Sequence, residues 1–273
     1  MLREITIGQY YPVDSALHRL DPRTKLAGTL VFIISLFLCN NILSYLAATI
    51  FLLAVIRISK VPFSYIVRGL KAIVILLMIS VVFNLFLTPG TVLWQLGPLK
   101  LTREGLRIAA MMAVRLIYLV IGSSLMTLTT TPNQLTDGME KGLGFLTVFH
   151  VPVHEIAMMM SIALRFIPIL VEETDKIMKA QIARGADFES GNLFQRIKNM
   201  VPLLVPLFVS AFRRATDLAM AMEARCYRGG AGRTKMKPLH YRTADRLAYL
   251  LLLGYFAVIL AGRFLGGRLV GMF

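Results

Sequence analysis

The chain has 273 residues, of which 56% are hydrophobic and 16% charged, with a net charge of +15 and a mean hydropathy of +0.68. Soluble proteins carry roughly 25% charged residues, so these values exclude an ordinary soluble domain and point to an integral membrane protein. The basic residues are interleaved with membrane-length apolar runs, which assigns the positive charge to cytoplasm-facing loops rather than to nucleic-acid binding.

Residues 1–25 are polar and broken by Pro12 and Pro22. They hold no apolar core ahead of a small-residue cleavage site, so no signal peptide is expected and the N-terminus is expected in the cytoplasm. Asp21-Pro22 reads as a helix N-cap and first-turn proline opening the first span, with Arg23 and Lys25 at the headgroups. Residues 26–39 and 42–56 are apolar runs separated by Asn40-Asn41. They read as two short spans meeting in a tight turn at the outer surface, with a single re-entrant unit as the alternative. Residues 66–87 form a third span. Residues 88–102 carry Pro, Gly and an interfacial Trp94 and read as a loop, and residues 106–128 form a fourth span. Arg57, Lys60, Arg68 and Lys71 flank the connection between spans two and three, whereas the Asn40-Asn41 turn is uncharged. That asymmetry places the connection inside. Arg115 lies about two and a half turns into the fourth span. A charge at that depth costs several kcal/mol unless paired or hydrated, so Arg115 either faces the bundle or belongs to a span that starts later.

From about residue 129 the character changes. Residues 153–184 read as one long helix, with Glu172/Lys176 and Asp175/Lys179 as favourable i,i+4 pairs on a water-facing side. Residues 193–225 read as a second, bent where Pro202 and Pro206 remove backbone donors. Arg165 with Pro168 suggests a kink and a buried polar contact. Between Arg165 and Arg246 stand fifteen basic and eight acidic residues, which reads as a cytoplasmic or interfacial helical region. Residues 247–262 form the last span. The expected organisation is 1–128 with about four spans, 129–244 as the cytoplasmic helical region, and 245–273 as the last span and C-terminus.

Two arginines recur in like surroundings. Arg184 lies in Ala183-Arg184-Gly185 and, 41 positions on, Arg225 lies in Ala224-Arg225-Cys226. Helical steps back from Arg184 meet Ala180, Ile177, Glu173, Leu170, Phe166, Ala163 and Met159. Steps back from Arg225 meet Met222, Leu218, Ala215, Ala211, Phe208 and Leu204. Each arginine thus ends an apolar stripe, with Glu173 the one exception. A helix-terminal arginine that favours the dipole or snorkels to headgroups is the plain reading. The repetition favours another: a guanidinium between small neighbours, free to enter a pocket on a partner protein and make forked hydrogen bonds.

With "LDPRTKL" (20–26), "ALRFIPILVEE" (163–173), "AQIARG" (180–185) and "MEARCY" (222–227), the chain resembles the transmembrane T component of energy-coupling-factor (ECF) transporters, over nearly its whole length and in order. The wider group includes the membrane subunit of cobalt and nickel uptake systems. The resemblance implies an all-α, L-shaped membrane subunit of about five spans with long amphipathic cytoplasmic coupling helices crossing as an X. Two ABC-type ATPase subunits would each receive one arginine motif, with Ala183, Arg184, Gly185 and Ala224, Arg225, Cys226 as docking residues. A membrane-embedded substrate-binding S component would complete a vitamin or micronutrient importer in a bacterial or archaeal cytoplasmic membrane. Cys226 departs from the Gly common in the second motif. Asp21, Pro22, Arg23, Arg115, Arg165, Pro168 and Glu173 are structural or coupling candidates.

Other chemistry is weakly signalled. His150 and His154 are four apart, but Pro152 lies between them, and "HEIAM" lacks the second His of HExxH, so no metal site is expected. Clustered Met residues (158–160, 220, 222) read as adaptable packing. No GxxxxGK[ST] and no GxSxG occurs, so neither ATP binding by a P-loop nor a serine-nucleophile elbow is expected, and no cofactor is expected. The rival readings are a cobalt/nickel importer subunit, a self-sufficient secondary transporter, which usually shows internal repeats not found here, and an intramembrane enzyme, which lacks a nucleophile or metal cluster.

Overall fold

The computed structural model describes residues 10–71, 73–96, 99–188, 192–230, 232, 234, 236 and 238–270. Residues 1–9 and the side chains of Arg68 and Trp94, on which expectations were placed above, lie outside the described residues. The fold is helical: α1 Pro22–Leu38, α2 Ile42–Ser59, α3 Phe63–Lys71, α4 Val74–Leu87, α5 Arg103–Thr129, α6 Pro132–Gly142, α7 Val153–Ala183, α8 Leu193–Ala224 and α9 Thr243–Val270, with a 3-10 turn at Gly144–Phe149. The stretch read as a loop instead contains a hairpin, β1 Val92–Leu96 antiparallel to β2 Leu99–Thr102. Thr102 closes it, accepting from the Gly105 N–H to cap α5 and donating to the Thr88 carbonyl.

Among the described residues, four helices are long and apolar enough to cross a membrane: α2, α5, α7 and α9, and the bent pair α3/α4 makes a fifth span if counted as one. At 17 residues, α1 rises only about 25 Å, just short of the usual hydrocarbon thickness. The first half of α7 is more apolar than its charged second half implied. The chain divides into two compact units, Glu140–Pro238 and Gly8–Met139 with Leu239–Phe273.

In the second of these, α5 is the common support. α1, α2, α3 and α4 all pack on it, and α9 packs on α1 and α2. Phe32, Leu36, Ile66, Leu125 and Ile259 fill the centre. Low dielectric favours paired polar groups, and Ser35 and Tyr255 share a hydrogen bond of 2.6 Å between α1 and α9. The outer faces carry exposed apolar side chains, among them Ile42, Leu43, Ile75 and Leu253. α4 buries none of its residues. Such continuous exposed apolar surface is the face a bilayer covers.

Candidate docking and coupling site

The unit Glu140–Pro238 is built on α7 and α8, which pack together. The two apolar stripes face each other. Phe166 and Leu170 from α7 and Ala211, Ala215, Leu218 and Met222 from α8 line a shared apolar crevice of about 270 Å³. Small residues on α8 opposite large ones on α7 allow this close pairing. Glu173, the exception in its stripe, explains itself at the same place. Its carboxylate accepts from the Ser210 hydroxyl at 2.5 Å and from Arg214 Nε and Nη2 at 3.1 and 2.5 Å. A charge among apolar neighbours is tolerated because α8 brings a matched, charge-assisted partner.

The last turn of α7 is also joined to the first half of α8. Pro206 has no N–H, so the Pro202 carbonyl four residues earlier loses its intrahelical donor. Gln181 Nε2 from α7 supplies the missing bond at 3.3 Å. Just beyond α7, the Asp187 carbonyl accepts from Asn199 Nδ2 of α8 at 2.7 Å. Both prolines lie inside an unbroken α8.

The two arginine motifs have the same backbone. Arg184 is the C-cap of α7 and Arg225 the C-cap of α8. After Arg184, the Gly185 N–H donates to the Ile182 carbonyl and the Ala186 N–H to Gln181. After Arg225, the Cys226 N–H donates to Glu223 and the Tyr227 N–H to Met222. Both are Schellman motifs, which require a left-handed residue directly after the cap. Gly185 has φ of 87° and Cys226 φ of 54°. The residue after each arginine is therefore small or tolerant for a backbone reason, besides leaving the guanidinium clear. All six motif residues are exposed.

Cys226 holds a conformation that costs an L-residue roughly 1–2 kcal/mol. Cys226→Gly relieves that cost, less the greater entropy glycine brings to the unfolded chain. A gain of about 0.5–1 kcal/mol is expected, while Gly185→Ala at the first motif is expected to lose about 1 kcal/mol. Thermal unfolding in detergent measures both. A Cys226→Gly variant less stable than the parent would contradict the shared cap geometry.

Arg115 turns inward from α5. Its Nη2 donates to the Cys39 carbonyl at 3.1 Å, and its guanidinium lies 5.7 Å from the Phe37 ring centroid. Cys39 is the C-cap of α1, so a cation meets the carbonyl-rich end of a helix. Of the two sequence readings, the structure takes the bundle-facing one. Arg165 and Pro168 are both exposed on an unbroken α7. Exposed as it is, Arg165 makes no buried polar contact among the described residues. His154 pairs its Nδ1 with Glu140 at 3.0 Å, and His150 is the left-handed cap of the 3-10 turn.

At the start of α1, Asp21 caps the helix by accepting from the Arg23 N–H at 2.9 Å, and Pro22 follows in the first turn. The basic pair differs from expectation. Lys25 is 7% exposed and donates to the carbonyls of His18 and Thr129 at 3.1 and 2.8 Å. It turns inward because α5 ends with an unpaired carbonyl beside it. Arg23 donates to the Leu239 carbonyl at 3.1 Å and lies 4.5 Å over the Tyr241 ring. Asp245, buried and not singled out in the sequence, accepts from the backbone N–H groups of Asp21 and Arg242, each at 2.8 Å.

The family described as cobalt transport protein, CbiQ, matches residues 14–236. The chain is 55% identical over 270 residues to the energy-coupling factor transporter transmembrane protein EcfT of Clostridium kluyveri, covering 98% of this chain and 100% of that one. The protein of the same name from Thermosediminibacter oceani is 55% identical over 249 residues, 91% of this chain and 94% of its own. That of Bacillus subtilis is 48% identical over 246 residues, 90% and 93%.

Proposed function

The chain belongs to the CbiQ family and, within it, to the energy-coupling factor transporter transmembrane proteins, and from this premise we propose that it is the non-catalytic coupling subunit of an ECF-type importer. Two separate ABC-type ATPase subunits bind at Ala183, Arg184, Gly185 and at Ala224, Arg225, Cys226. On closing around ATP they displace α7 and α8, which pass the movement to a membrane-embedded S component that holds a vitamin or similar micronutrient. The observation that carries this reading is the pair of long helices, stitched together by Glu173–Arg214 and Gln181–Pro202, each ending in an exposed arginine on the same cap. A joined pair with two like ends suits two like sockets, and the pair is the element whose arrangement nucleotide state would bias. The sequence carries no P-loop, so energy comes from the partners.

A tagged copy purified from its own host tests the reading. Two ATPase subunits, or two copies of one, should accompany it together with a small, apolar S component. A chain that purifies alone from mild detergent contradicts it. The description of the matching family favours a second reading, a metal-ion importer. The small molecule held by the co-purifying S component decides between the two.

The basic connections support a topology in a cell membrane with the N-terminus, Lys60 and Gly185 in the cytoplasm and Asn40-Asn41 outside. Single cysteines at these positions, in a Cys226→Ser background because Cys226 is exposed, should label from outside at position 41 alone. Labelling of Gly185→Cys by an impermeant thiol reagent on intact cells would contradict this topology.

A further inference from the structure

Among the described residues, the chain passes between its two compact units twice, outward after Met139 and back at Leu239. Both crossings are held by one turn of helix, residues 21–25. On the outward side, Lys25 Nζ holds the Thr129 carbonyl at the end of α5. The departing α6 then lies directly on the same turn. A Cβ at Gly138 would stand 2.9 Å from Pro22 Cβ and 3.3 Å from Leu26 Cδ1, a distance only glycine permits here. On the return side, Arg23 holds the Leu239 carbonyl and covers Tyr241. Asp245 ties the Arg242 N–H to the Asp21 N–H through its two carboxylate oxygens. Lys25, Asp21 and Asp245 are all buried, and buried charges hold their partners firmly, because displacement leaves them unpaired in low dielectric.

We infer that the turn Asp21–Lys25, with Gly138 and Asp245, is the relay through which displacement of the Glu140–Pro238 unit reaches the membrane bundle: Arg23, Lys25 and Gly138 are positioning residues for coupling, not docking residues. This rests on the coupling function proposed above. A pull on either crossing loads the same five residues, and these begin α1 and hold the start of α9. Both α1 and α9 therefore receive the movement together. Loosening the turn separates ATP hydrolysis from transport while leaving the docking ends untouched.

The test uses the whole complex co-purified through the tagged chain and reconstituted in phosphatidylethanolamine–phosphatidylglycerol liposomes. Tritiated riboflavin, folate and biotin are offered in turn, and uptake is measured per ATP hydrolysed. Arg23→Gln, Lys25→Met and Gly138→Val should keep their ATPase complement and hydrolysis within about twofold of the parent while uptake per ATP falls about tenfold. Arg23→Lys, which keeps a cation over Tyr241 and a donor for Leu239, should retain most of its uptake per ATP. If Lys25→Met does not insert, Arg23→Gln still decides, since that side chain is 17% exposed and outside the tightest packing. Unchanged uptake per ATP in Arg23→Gln and Gly138→Val overturns the relay. So does uptake that falls only in step with lost assembly, which marks a merely structural role. A wild-type complex without ATP-driven uptake contradicts the coupling function itself.

Discussion

Replacing both Arg184 and Arg225 by alanine is expected to release the ATPase subunits and abolish uptake while the protein still reaches the membrane. Both side chains are exposed at the ends of well-made helices, so neither substitution removes a contact the fold needs. An arginine forked onto a carboxylate and desolvated by a partner commonly contributes at least about 2 kcal/mol, tenfold and more in affinity. A single alanine should therefore weaken the complex without dissolving it, because the second helix still docks. The double change removes both attachments, and the effective-concentration gain of linked contacts goes with them. Arg→Glu at either position should be more damaging than alanine, since it sets a carboxylate where the proposed socket offers carboxylates or carbonyls to a guanidinium. Retention of ATPase subunits at matched membrane levels measures the series. If the double variant keeps its full complement and full uptake, the two arginines are helix caps and nothing more.

Arg115→Ala is expected to have the largest effect on the membrane bundle alone. The Cys39 carbonyl is buried at the end of α1 and takes its donor from Arg115. Removing a charged donor from a buried acceptor costs about 1.5–3 kcal/mol, and the helix end loses a favourable cation besides. Arg115→Lys should recover part of the loss, as it keeps the charge and one donor. The check is thermal stability of the purified protein in detergent, with assembly of the complex as a second readout. Equal stability of the alanine variant and the parent would remove Arg115 from the account of the bundle.

Long periodic segments were the legible part of the fold. α7 and α8 were read to within a residue, because each carries a long, largely apolar stripe and a terminal signal at Arg184 or Arg225 that local chemistry sets. The hairpin was missed because Pro89, Gly90, Gly97 and Pro98 hid the alternation of Val92, Trp94 and Leu96 opposite Leu99 and Leu101. Glu173 was visible as a break in a stripe. Its partner Arg214 lies 41 positions on, and only the packing of α7 on α8 joins them. The inward turn of Lys25 depends on a carbonyl of α5, more than a hundred positions away, and Asp245 on the start of α1, 224 positions away. Such pairings leave no periodic trace. The left-handed backbone at Cys226 was likewise invisible, since cysteine gives no hint of positive φ. Charge density alone suggested a cytoplasmic α7, although its apolar first half meets the length and hydropathy of a span. The charge count averaged two unlike halves of one helix.

The central claim is that the ends of α7 and α8 are where the ATPases bind, and site-specific photocrosslinking in living cells tests it most directly. A photoreactive phenylalanine is placed at Ala183, at Ala224 and, as a control in the other compact unit, at Ile42. All three positions are exposed. Positions 183 and 224 should each yield a covalent adduct with an ATPase subunit, and position 42 should yield none. Absence of ATPase adducts at both 183 and 224, in cells where the complex is assembled, would contradict the claim.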